Sequence, residues 1–160
     1  EGDRWEPYYY SAFGYLRMSS MYESPEDKDK YLDLGLEAVK KGEEIKPNDS
    51  ELEAMKGYLN MIKVSIDPAT RGMKYSGLAM ASFQKAIALD ENNPRAHFLL
   101  GRMQYGTAQF MGSSTDEACG SMKRALELFE KEESSKNRLA PTWGKGATVE
   151  TLGQLCGTGE

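Results

Sequence analysis

Gly14-Tyr15-Leu16-Arg17-Met18 returns as Gly57-Tyr58-Leu59-Asn60-Met61, and Gly101-Arg102-Met103-Gln104-Tyr105 is a weaker third copy. The marker glycines stand 43 and 44 residues apart, which is a period of internal repetition. After each glycine comes a second apolar stretch in which a large residue precedes a small one by three: Val39 and Gly42, Phe83 and Ala86, Met122 and Ala125. The first two of these stretches end in turn-forming runs, Ile45-Lys46-Pro47-Asn48-Asp49 and Leu89-Asp90-Glu91-Asn92-Asn93-Pro94. The unit is therefore helix, loop, helix, turn. No polar/apolar alternation and no Asn-Gly or Asp-Gly hairpin turn interrupts it, so the fold class is all-α.

Helix starts support this division. Ser24-Pro25, Asp67-Pro68 and Asn93-Pro94 each place a capping side chain before a proline whose missing N–H costs nothing in the first turn. Ser50 with Glu53, and Ser114 with Glu117, have capping-box spacing, and Asp3 with Glu6 could open the first helix in the same way. These signals predict helices near 3–22, 25–45, 50–66, 68–90, 93–111, 114–132 and 144–156. Residues 1–132 thus form three helix pairs, about 3–45, 50–90 and 93–132, and residues 133–160 form a linker and a C-terminal capping helix.

Composition excludes several classes of function. The 20 basic and 25 acidic residues are scattered, so no basic stripe exists for a phosphate backbone and nucleic acid is not an expected partner. The longest apolar runs, such as Phe98-Leu99-Leu100, fall far short of the ~20 residues that cross a bilayer. Cys119 and Cys156 lack the paired spacing of a zinc site; they read first as two buried or half-buried thiols, and alternatively as a disulfide in an oxidising compartment.

Pro94-Arg95-Ala96-His97-Phe98-Leu99-Leu100-Gly101 and Ala79-Met80-Ala81-Ser82-Phe83-Gln84-Lys85-Ala86-Ile87-Ala88-Leu89-Asp90 resemble the two helical signatures of the tetratricopeptide repeat (TPR) family. There a small residue sits where paired helices touch, and a large one fills the gap toward the next repeat. Trp5-Glu6-Pro7-Tyr8-Tyr9-Tyr10, Asp67-Pro68-Ala69-Thr70-Arg71-Gly72, Asn93-Pro94-Arg95-Ala96 and Pro141-Thr142-Trp143-Gly144 followed by Leu155-Cys156 are similar to a group of exported bacterial TPR proteins. That resemblance implies a periplasmic or otherwise exported protein with no established enzymatic activity.

The family pattern also implies a binding face. Residues three before, one after and four after the marker glycine share one side of the first helix of a pair and line the concave surface. Here they are Ser11, Tyr15 and Met18, then Ala54, Tyr58 and Met61, then Phe98, Arg102 and Tyr105. Tyr15, Met18, Tyr58, Met61, Phe98, Arg102 and Tyr105 are the expected binding residues, partly exposed, with Leu100, Phe83 and Ala86 buried behind them. An aromatic and methionine-rich surface with one cation suits an extended or helical apolar segment of another protein.

Catalysis finds no constellation. His97, the one histidine, falls where a bulky packing residue is expected. Glu43-Glu44, Asp116-Glu117 and Glu132-Glu133 are neighbours on helices and point apart, whereas acid/base work needs carboxylates that converge. Neither a cofactor nor a metal is implied. The expected function is a non-catalytic protein- or peptide-binding scaffold; the alternative is an assembly module whose groove is filled by its own chain or by a second copy, as a homo-oligomer. Trp5 and Trp143 are expected to cover opposite ends of the array.

Overall fold

The computed structural model describes residues 3–132 and 138–157. Among them are seven helices and no strand: α1 (Glu6–Ser19), α2 (Pro25–Ile45), α3 (Ser50–Ile66), α4 (Pro68–Leu89), α5 (Pro94–Met111), α6 (Asp116–Lys131) and α7 (Lys145–Leu155). Helices α1 and α2, α3 and α4, and α5 and α6 pack as antiparallel neighbours, and α7 lies on α6. The expected Glu132-Glu133 pair falls partly outside the described residues.

The proline-preceded starts form as their chemistry requires. Ser24, Asp67 and Asn93 accept hydrogen bonds from the N–H groups of Asp27, Thr70 and Ala96. The three capping boxes do not form. At α3 the cap is Asp49, whose Oδ1 accepts from Leu52 N at 3.0 Å. Ser50 Oγ instead donates to Ala86 O at 2.7 Å and accepts from Asn93 Nδ2 at 2.9 Å, tying the start of α3 to the end of α4 and the start of α5. Thr115 precedes α6 without a side-chain cap bond, and Trp5 precedes α1 in the same way. A serine with a tertiary partner gives up its local one.

Two large apolar clusters form most of the core, with a small third one of Ala54, Ala86 and Ala96. One joins α1, α2 and α3 around Tyr9, Leu32, Val39 and Leu59; the other joins α4 to α7 around Phe83, Leu99, Met122 and Phe129. Phe83 and Ala86 are fully buried, and Leu100 is half-buried against the second cluster. A methyl group on Gly57 would collide with the Phe83 ring, and one on Gly101 would come within 2.6 Å of Met122 Cγ and 2.9 Å of the Ala118 carbonyl. Both glycines thus sit at close helix contacts.

Gly14 does not. It is exposed, and nothing lies within 4 Å of where its methyl would go. The small residue buried in α1 is Ala12, fully shielded, with its carbonyl against Gly35 of α2. The repeat register in α1 is therefore two residues earlier than the Gly14 motif suggests.

The cysteines correct the free-thiol reading. Cys119 on α6 and Cys156 after α7 form a disulfide across 37 residues, with Cα atoms 5.8 Å apart, within the span a bridge needs. The bridge fixes α7 on the last helix pair. His97 is half-buried, with Nε2 2.9 Å from the Glu91 carbonyl, so it closes the turn before α5.

Candidate functional site

The chain's own C-terminal segment, residues 140–143, lies against α1, α3 and α5. Trp143 is sandwiched between Phe13 of α1 (centroids 5.1 Å apart, planes at 11°) and Tyr58 of α3 (5.9 Å, 29°). Its indole N–H donates to Tyr9 Oη at 2.8 Å, while Tyr10 Oη donates to the Ala140 carbonyl at 3.2 Å. Phe13 follows Ala12 as Tyr58 follows Gly57, which is why the two rings face each other. Trp5 meets Tyr9 edge-on, with centroids 5.9 Å apart. The two tryptophans therefore converge on Tyr9 and do not cap opposite ends.

Arg95 locks this segment. Its side chain is 3% exposed, with Nε 2.9 and 3.1 Å from the Glu51 carboxylate, Nη2 2.5 Å from Glu132 and Nη1 3.0 Å from the Trp143 carbonyl. The guanidinium also lies over the Phe129 ring. Burial pushes the Glu51 carboxyl up to about 7 against the pull of Arg95, with Asp49 and Glu132 adding repulsion. Tyr9 is raised well above the usual phenol value, by burial first and then by Glu51, so its hydroxyl stays neutral beside the indole.

The expected binding residues separate into three groups. Tyr58 and Met61, one turn apart on α3, and Arg102 and Tyr105, one turn apart on the adjoining α5, are all half-buried, and of these Tyr58 stacks on Trp143. Phe98 is 2% exposed, inside the second core cluster with the Arg102 guanidinium over its ring; it offers no binding surface. Ala54 is likewise buried. Tyr15 and Met18 do not join these residues: Tyr15 is half-buried toward α2, and Met18 is exposed. Tyr15 stacks toward Tyr31 of α2, which stacks on Tyr22, and these rings lie beside the α1–α2 turn. The Tyr22 and Tyr31 hydroxyls are 3.0 Å apart.

A cleft of about 390 Å³ among Asp29, Asp33, Lys63, Arg71 and Tyr75 is elsewhere, on the α2–α4 side. Its charges answer one another: Lys63 Nζ meets Asp33 at 2.7 Å and Asp29 at 3.2 Å, and Arg71 meets Asp29 at 2.6 Å. That network joins three helices and leaves little for a ligand to pair.

No protein-family model matches the chain, and no curated protein is significantly similar to it in sequence. Among solved structures there is a full-length likeness. The chain is similar in fold to the HusA haemophore from Porphyromonas gingivalis. The TM-score is 0.86 at 22% sequence identity, over 100% of this chain and 79% of that one. At this identity the likeness establishes the all-helical fold. Phe13, Tyr9, Arg95 and Trp143 form a cluster beside Tyr58 that the marker-glycine rule missed. Ala12 in Tyr10-Ser11-Ala12-Phe13 was the signal for the first two, and Pro141-Thr142-Trp143-Gly144 for the last.

Proposed function

We propose that this protein is a non-catalytic binding protein, exported from a bacterial cell, whose α3–α5 side receives a flat, largely apolar ligand of the porphyrin class. One observation carries the reading: the whole length of the chain shares the fold of a haemophore, by name a haem carrier, and Tyr58, Met61, Arg102 and Tyr105 are half-buried on its adjoining helices α3 and α5. Rings stack on a macrocycle face. Arg102 supplies the charge-assisted, bidentate partner that a propionate carboxylate prefers. Phenol and thioether groups are also among the axial ligands that haem iron accepts. The Cys119–Cys156 bridge fits an oxidising compartment outside the cytoplasm.

A peptide ligand is the second reading, favoured by the segment Ala140–Trp143, which already lies against α1, α3 and α5 as an extended peptide would. The deciding experiment is a titration with haem, followed by the Soret absorbance, comparing the wild type with Tyr58→Ala/Arg102→Ala. Saturable binding weakened by about tenfold or more in the double variant is the expected result, each tenfold being about 1.4 kcal/mol. Absence of saturable binding, or equal affinity in the variant, would refute the porphyrin reading and leave the peptide reading to be tested by capture.

A further inference from the structure

Trp143 occupies a place built for a planar aromatic group. Phe13 and Tyr58 cover its two faces, Tyr9 meets its edge, and Arg95 holds its carbonyl. Yet the side chain is only half-buried, and the segment that carries it, residues 141–143, belongs to no helix. Directly after it stands Gly144, with φ 119°, a backbone region that a side chain makes costly. A methyl there would also come within 2.5 Å of Phe129. Beyond this pivot α7 is held by the disulfide and by Leu152, which lies in the second core cluster. Withdrawal of Trp143 would thus break the Arg95 and Tyr9 hydrogen bonds and the two ring stacks, and would leave α7 anchored by the disulfide and Leu152.

Tyr58 is shared. Its ring stacks on Trp143, and it shares α3 with Met61, beside the α5 that carries Arg102 and Tyr105. We infer that the slot between Phe13 and Tyr58 is the inner half of the ligand site, and that Trp143 is a resident plug which a planar aromatic ligand of the porphyrin class displaces. This rests on the binding reading above and adds a gate to it. The indole already demonstrates what the slot accepts: a flat ring stacked on both faces, with a hydrogen-bond donor directed at Tyr9. Affinity is then set by the difference between ligand and indole, and removal of the indole strengthens binding.

The test uses metal-free protoporphyrin as the probe, with the disulfide intact. Trp143→Ala should bind at least about tenfold more tightly than wild type, and Phe13→Ala/Trp143→Ala should lose that gain. In wild-type protein, NMR of the indole N–H groups, assigned with Trp5→Phe, gives a readout that needs no slot variant. The Trp143 N–H, protected by Tyr9, should exchange with water at least about tenfold faster once porphyrin is bound. If porphyrin binds wild type and Trp143→Ala equally and Trp143 stays protected, the plug is refuted while the binding reading stands. If neither protein binds porphyrin, both fall together. If Trp143→Ala does not fold, the exchange measurement alone decides.

Discussion

Replacing Gly101 and Gly14 by alanine, one at a time, separates two glycines that open similar five-residue motifs. Both lie inside helices, so both variants gain the same propensity term, about 0.5–1 kcal/mol from the smaller entropy loss of alanine. In Gly101→Ala the new methyl lies 2.6 Å from Met122 Cγ and 2.9 Å from the Ala118 carbonyl, and the second of these is backbone that cannot rotate away. Relieving such an overlap requires α5 and α6 to separate, which costs about 1–3 kcal/mol for an extra carbon in a packed core. In Gly14→Ala the methyl meets nothing within 4 Å. The propensity gain cancels in the comparison, so Gly101→Ala should be less stable than Gly14→Ala by about 1–3 kcal/mol. For a chain of this size that is roughly 2–12 °C in Tm. Urea unfolding with the disulfide intact measures it as a change in midpoint at constant slope. Equal midpoints for the two variants would refute the claim that the helix contact is made at Gly101 and absent at Gly14.

Cys119→Ser/Cys156→Ser should keep its helical circular dichroism but lose about 2–4 kcal/mol, and thermal melts of oxidised and reduced wild type should reproduce the difference. Glu51 gives a pH dependence whose sign is fixed by its raised pKa. Its folded value of about 7 exceeds the ordinary 4.5, so its contribution to stability is full below about 4.5 and is lost as pH rises through about 7. Wild-type stability should therefore fall more steeply between about pH 5 and pH 8 than that of Glu51→Gln, as measured by urea midpoints across the range.

The helices were legible because periodicity and proline-preceded caps are local: Ser24, Asp67 and Asn93 need only their own first turn to act. Ser50 misled because its partners, Ala86 and Asn93, are 36 and 43 residues away. The site was half-legible. Counting from Gly57 and Gly101, which are true helix contacts, picks out Tyr58, Met61, Arg102 and Tyr105, all of which are half-buried. The same count from Gly14 failed because a glycine motif records composition, whereas the contact in α1 is made by Ala12. Phe98 satisfied the offset but is covered by Arg102. Nothing local announces that Trp143 folds back on α1, for its partners Tyr9 and Phe13 lie far upstream, Tyr9 by 134 residues.

The reach of that last segment changes how the molecule comes apart. A linear stack of helix pairs has contacts only between neighbours, so its ends can fray while the middle survives. Here residues 140–143 touch α1 through Tyr9, Tyr10 and Phe13, touch α3 through Tyr58, and meet Arg95 of α5, while the Cys119–Cys156 bridge ties the far end of α7 to α6. First and last pairs are thereby joined by one strap. Fraying α1 would uncover the indole, and loosening the strap would deprive α1 of its partner. While Trp143 is seated, the chain closes a loop of mutual dependence that an open stack lacks, and its first pair gains a partner beyond its sequence neighbours.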